Sequence, residues 1–174
     1  GQFVEASRLD EACGPAFAGA GEASFQLGDY GSARRYLERA LALDPGAERA
    51  AGLLETTRRI ESGNPLAPRL PSDERMRRLL AGLDQAARRL DGCLEGPSDV
   101  PASERPGLEQ LRAEVVSMRG LLDAKGRPRG PGLVQDGAEL VFRVEEAASR
   151  SCGEPTGLDL ALLLIGRKHG GAGS

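Results

Sequence analysis

The chain has 174 residues and a formal net charge of −3; 40% of its residues are hydrophobic and only 3% are aromatic. This length suits one domain or two small ones, and a core of Leu, Ala and Val favours closely packed helices over a sheet. The slightly acidic balance gives no reason to expect a nucleic-acid partner, and no apolar run is long enough to span a membrane.

Residues 14–46 carry the first strong helical pattern. It predicts one helix over residues 15–27, ended by Gly28, and a second over residues 30–43, ended at Pro45. Small and large residues alternate where two such helices would cross, which is typical of a tight helical hairpin. The small residues are Ala20, Gly21, Ala33 and Ala40, and the large ones are Phe17, Leu27, Tyr30, Leu37, Leu41 and Leu43.

This segment resembles the tetratricopeptide repeat, a helical hairpin of about 34 residues. Phe17 stands at the family's large aromatic position, and Ala20-Gly21 replaces the usual Leu-Gly pair. Ser24 departs from the pattern, since a Tyr is usual there. The remaining matches are the Gly28-Asp29-Tyr30 turn, the second-helix core positions Ala33, Leu37 and Ala40, and the Leu43-Asp44-Pro45 ending.

The register of this repeat extends in both directions, so that the resemblance covers about residues 1–63. Residues 1–12 align with the second helix of a preceding, partial repeat, residues 13–46 form the complete repeat, and residues 47–63 match a capping helix. We therefore expect the C-terminal part of a longer helical solenoid. Any export signal or anchor would lie further upstream, which leaves both a cytoplasmic and a periplasmic location open.

Helical patterns continue after a proline-rich linker at residues 64–72. Residues 73–169 predict a small antiparallel helical bundle, because the loops between its helices are short. We expect its last helix to be central, since that helix is apolar nearly all round, and residues 170–174 to be a disordered tail. The predicted helices cover residues 73–94, 108–126, 133–152 and 157–169.

The resemblance implies that first-helix side chains of each repeat line a concave groove that holds a partner. Ala18, Gly19 and Glu22 stand where the chaperone-binding subclass needs Lys and Asn, so that carboxylate clamp is not expected. Phe25 and the arginines suggest an apolar patch rimmed with positive charge, suited to an amphipathic or acidic protein segment. The alternative is a groove covered by neighbouring repeats or by the bundle. The groove residues are Ala18, Glu22, Phe25, Gln26, Arg49, Gly52, Thr56 and Arg59.

No arrangement of residues indicates catalysis, a metal site or a cofactor. His169 is the single histidine, and no Gly-x-Ser-x-Gly elbow, phosphate-binding loop or Cys-x-x-Cys pair is present. We expect the paired acids Glu145 and Glu146, and likewise Glu109 and Glu114, to lie on solvated helix faces beside arginines.

The three cysteines leave two alternatives open. Cys93 and Cys152 both lie at predicted helix ends and would come within disulfide reach if those ends share one pole of the bundle. An exported protein favours such a bridge, while a cytoplasmic protein favours two ordinary buried thiols. Cys13 has no partner in either case.

These features favour a non-enzymatic scaffold or adaptor that binds a partner protein through the groove. Two alternatives remain: an accessory helical region of a larger enzyme or of a secretion or envelope assembly, and a bundle that binds a small ligand between its helices. The bias towards Ala, Arg, Leu and Gly is typical of high-GC bacteria.

Overall fold

A computed structural model describes residues 13–96, 100–123 and 132–170. These ranges contain seven α-helices and no strand, so the all-α prediction is confirmed. The expected partial repeat at residues 1–12 lies outside the described residues, as do residues 171–174 of the expected tail. The helices are α1 (Gly14–Gln26), α2 (Tyr30–Leu43), α3 (Glu48–Gly63), α4 (Ser72–Glu95), α5 (Arg105–Asp123), α6 (Gly132–Ser151) and α7 (Gly157–Gly170).

The chain divides between Glu61 and Ser62 into two compact units. In the first unit α1 and α2 form a hairpin. Gly28 ends α1 with a φ of 71°, a conformation that costs glycine little. The Asp29 side chain caps α2 by accepting a hydrogen bond from the backbone N–H of Ser32 at 3.1 Å.

Helix α3 packs onto this hairpin through a shared hydrophobic core. Ala33 and Leu37 of α2 and Ala50 and Leu54 of α3 are all buried, and the half-buried Phe25 of α1 packs against them. Two ion pairs also join α3 to α2, from Arg58 to Glu38 and from Arg34 to Glu61, with N–O distances of 3.1 and 3.0 Å. The position of α3 is therefore set by both helices of the hairpin.

The second unit is built around α4 and α6, each of which contacts three other helices. Helix α7, which we expected to be central, contacts α6 and α4 but not α5 among the described residues. Its last four residues, Arg167–Gly170, are exposed, and Leu160 and Leu164 are only half-buried. The expectation was wrong because an apolar sequence on most sides of a helix does not require neighbours on every side.

The starts of helices α5 and α4 differ from the sequence-based expectation. Helix α5 begins at Arg105, three residues earlier than predicted, because Pro106 occupies its first turn, where a missing N–H costs nothing. Helix α4 begins at Ser72, with Pro71 at the N-cap position and no side-chain cap. Ser72, which we expected to belong to the linker, thus lies inside the helix.

Candidate functional site

The candidate groove of the first unit is formed by side chains of α1 and α3. Glu22 on α1 and Arg49 on α3, 27 residues apart, form an ion pair in which Arg49 Nε donates to Glu22 Oε2 at 3.1 Å, with a second contact between the guanidinium and Oε1. The hydrogen bond and the charge of Glu22 raise the pKa of the Arg49 guanidinium. The pair links the first helix of the hairpin directly to α3.

Phe25 and Ala18 lie at the edge of the core, where each side chain is partly buried and partly accessible. Both are half-buried and pack against the core of the first unit. The Phe25 ring also meets the Tyr30 ring edge to face, with centroids 5.5 Å apart and planes at 71°. Phe25 therefore contributes to the core while keeping part of its surface accessible.

The other groove residues are exposed or half-buried and make local contacts. Gln26 donates to Glu22 Oε1 at 3.5 Å, and the Thr56 hydroxyl donates to the Gly52 carbonyl at 3.0 Å. Gly52 is exposed, and a Cβ at this position would meet no atom within 4 Å. This part of α3 offers open space beside the backbone.

The charge of the groove differs from the positive rim that the sequence suggests. Arg49 pairs with Glu22, and Arg59 pairs with Glu55 one turn earlier on α3. Each groove arginine therefore faces a carboxylate of its own unit. Sequence spacing gives a signal for the second pair, which is i,i+4, but none for the first, which depends on how α1 and α3 pack.

A disulfide joins Cys93 and Cys152 in the second unit, across a sequence separation of 59 residues. It connects the C-terminal ends of α4 and α6, which meet at one pole of the bundle. Such a meeting is expected of the first and third helices in an up-down-up arrangement. Cys13 is a half-buried free thiol.

Beside this disulfide lies a buried polar cluster that the sequence analysis missed. Glu145 is fully buried, although we expected it on a solvated face, because Arg89 of α4 and Asp159 of α7 cover that side of α6. Arg89 Nε lies 3.8 Å from Glu145 Oε2, and Arg89 Nη1 lies 3.5 Å from Asp159 Oδ2. Gln85 donates to Asp159 Oδ1 at 2.7 Å.

Neither oxygen of the Glu145 carboxyl group has a hydrogen-bond partner among the described residues. Burial, reinforced by the negative charge of Asp159 and only partly offset by Arg89, raises the pKa of Glu145 to about 8. Glu145 is therefore mainly protonated at neutral pH, and its 3.8 Å contact with Arg89 is then not an ion pair. Arg89 is balanced by Asp159 instead. The helical pattern of the sequence does not predict this burial, because it does not distinguish Glu145 from its neighbour Glu146.

The single histidine has a packing role in the structure. The His169 ring stacks on Phe142 with a centroid distance of 5.9 Å and an interplanar angle of 8°. Within residues 13–96, 100–123 and 132–170, no group of three or more His, Cys, Asp or Glu side chains is arranged to hold a metal ion. Over the same part of the chain, every helix is too short or too polar to cross a bilayer.

The comparison with protein families matches residues 15–47 to the Tetratricopeptide repeat family. The match spans nearly all of α1, all of α2 and the turn before α3, and it confirms the resemblance read from Phe17, Gly21 and the Gly28-Asp29-Tyr30 turn. No curated protein and no solved structure matches the chain. Residues 15–47 thus resemble a tetratricopeptide repeat, a helical hairpin typical of protein–protein interaction modules.

Proposed function

We propose that the α1–α3 face of the first unit binds a segment of a partner protein, and that the chain serves as a non-enzymatic scaffold or adaptor. The observation that carries this proposal is the placement of the half-buried Phe25 on α1 together with the open surface at Gly52 on α3. A partly accessible aromatic ring suits contact with an apolar side chain of a partner segment. The family match over residues 15–47 supports the same role.

The partner that we propose is an amphipathic or acidic segment. Its apolar side would contact Phe25 and Ala18. Its carboxylates would compete with Glu22 for Arg49 and with Glu55 for Arg59, so that one ion pair replaces another. Such an exchange contributes more to specificity than to affinity. The net charge of −3 makes a nucleic-acid partner unfavourable.

Site-specific photo-crosslinking tests this proposal. A photo-reactive phenylalanine analogue at Gln26, an exposed residue of the groove, should crosslink a partner protein from extracts of the source cells. The same analogue at Glu109, exposed on α5 in the second unit, should not crosslink that protein. Equal crosslinking from both positions would overturn the proposal.

Variants then identify the contact surface. Gly52→Arg places a large side chain in the open space and should abolish the crosslink, whereas Ala51→Arg, the exposed neighbour that points about 100° away around the helix, should preserve it. The double variant Phe25→Ala and Arg59→Glu should also fail to crosslink the partner. Phe25→Ala also removes a core contact, so its effect alone does not identify the binding surface. Undiminished crosslinking of the partner by Gly52→Arg would by itself refute binding at this face.

A further inference from the structure

An open cleft of about 350 Å³ lies at the pole of the second unit where the end of α4, the end of α6 and the start of α7 meet. Its walls are Gln85, Arg88, Arg89 and Gly92 of α4, the Cys93–Cys152 disulfide, and Asp159 of α7. This volume is at the lower end of the range for small-molecule sites. The disulfide fixes one side of the cleft, because it ties two of the three contributing elements together.

Among the described residues, Arg88 is the cation of this cleft that has no ion-pair partner. Its guanidinium is exposed, makes a hydrogen bond to Gln85 Oε1 at 2.6 Å, and has no ion-pair partner within the described ranges. Surface arginines elsewhere in the same unit, such as Arg112 and Arg143, are held by carboxylates. Arg88 therefore retains most of its five N–H donors for another group.

Arg89 adds a second, largely buried guanidinium next to Arg88. It donates to the Gly153 carbonyl at 2.7 Å and pairs with Asp159, while its buried Nε has no hydrogen-bond partner in the part of the chain that the structure describes. Glu145 is mainly protonated at neutral pH. Within the described ranges, the charge of the two arginines at this cleft is therefore balanced by Asp159 alone. The cleft therefore carries a surplus of positive charge.

Gly92 lines the cleft without a side chain. It lies within α4, where glycine disfavours the helix relative to alanine. A Cβ at Gly92 would meet no atom within 4 Å, so close packing does not require the glycine. A larger side chain there would instead extend from the wall of the cleft.

We propose that this cleft binds a small molecule bearing an oxyanion, either a carboxylate or a phosphate, through the guanidinium of Arg88 with Arg89 next to it. A planar guanidinium can donate two parallel hydrogen bonds to either group. The proposal concerns the second unit and does not depend on the groove of the first.

Titration of the 174-residue chain with inorganic phosphate, and separately with succinate, tests the proposal by ¹H–¹⁵N NMR. We expect saturable shifts of backbone amides at residues 88–93 and 153–159, with a dissociation constant in the millimolar range for such small probes. The tighter of the two probes identifies whether the natural ligand is a phosphate or a carboxylate. No saturable shift with either probe would overturn the proposal.

Matched variants separate a specific site from general electrostatic attraction. Arg88→Gln should weaken binding about tenfold, as expected for the loss of a charge-assisted hydrogen bond. Arg77→Gln removes the same charge from the same helix at a position that already pairs with Glu74, and it should leave binding unchanged. Equal weakening by both variants would refute a site at Arg88.

The glycine provides a control for folding. Gly92→Leu should abolish binding while leaving the thermal unfolding temperature unchanged or raised, because leucine favours the helix. Gly92→Ala should raise the unfolding temperature in the same way. Full binding by Gly92→Leu would show that the ligand does not occupy the cleft.

Discussion

The side chain of Leu37 on α2 occupies the space that a side chain at position 21 of α1 would need. A Cβ at Gly21 would lie 2.7 Å from Leu37 Cγ and 3.2 Å from the Leu37 backbone nitrogen. Leu37 is fully buried. The two helices of the hairpin can approach this closely because position 21 has no side chain, and this approach brings Leu37 into the core shared with α3.

We predict that Gly21→Ala destabilises the first unit by about 1–3 kcal/mol, because the new methyl group overpacks the helix crossing. Helix propensity alone would predict a gain of roughly 1 kcal/mol. Urea denaturation followed by circular dichroism measures the difference. Gly52→Ala is the matched control on α3, where the methyl group enters open space and should stabilise. Stabilisation by both substitutions would contradict the close approach.

The burial of Glu145 predicts a pH-dependent stability of the second unit. Its pKa is raised from the ordinary 4.5 to about 8 in the folded chain, so the folded state holds the proton more tightly than the unfolded state. The stability that Glu145 contributes is fully present below pH 4.5 and is lost as the pH rises through about 8. The loss is on the order of a few kcal/mol.

Glu145→Gln tests this linkage because glutamine has nearly the same shape and does not titrate. We expect the variant to resemble the parent near pH 5 and to be the more stable protein at pH 9, as measured by thermal unfolding across this range. Glu139→Gln, at an exposed position of the same helix, should leave the pH profile unchanged. The prediction would be contradicted if the parent protein became more stable between pH 5 and pH 9 and Glu145→Gln removed that increase.

The disulfide closes a long loop, since Cys93 and Cys152 are separated by 59 residues. Its removal by Cys93→Ser should destabilise the second unit by about 4 kcal/mol, because the unfolded chain regains the entropy of the open loop. Differential scanning calorimetry measures the change, and peptide mapping under non-reducing conditions detects the linked peptides. Cys13→Ser should have little effect, because Cys13 is a free thiol. An unlinked pair in the native protein would refute the bridge.

The ion pair of Glu22 and Arg49 predicts how the groove responds to a change in charge. If the partner carries carboxylates, Glu22→Gln should strengthen binding several-fold, because Arg49 is released from its internal partner. Fluorescence anisotropy with a labelled peptide of the partner segment that the crosslinking identifies measures this change in affinity. Glu48→Gln alters the net charge equally at an exposed position of α3 and is the control. Weaker binding by Glu22→Gln would indicate that the partner contacts Glu22 itself.

The helices and the repeat could be predicted from the sequence because they depend on local rules. Apolar spacing, the terminating Gly28 and the Asp29 cap act within a few residues, and the repeat register adds a fixed order to them. Errors arose where one residue type has two local roles. The apolar spacing predicts a helix from residue 108 and leaves out Pro106, although a proline in the first turn of a helix is favourable.

By itself, the sequence determined an all-α chain with a tetratricopeptide-like hairpin, since periodicity and turn chemistry are written in neighbouring residues. Only the tertiary structure decided the pairing of Glu22 with Arg49, the burial of Glu145 and the place of the Arg88 guanidinium at the cleft. Burial and charge balance depend on which helices meet. A solvated glutamate and a buried glutamate can have the same local sequence pattern. They differ in which helices pack against them.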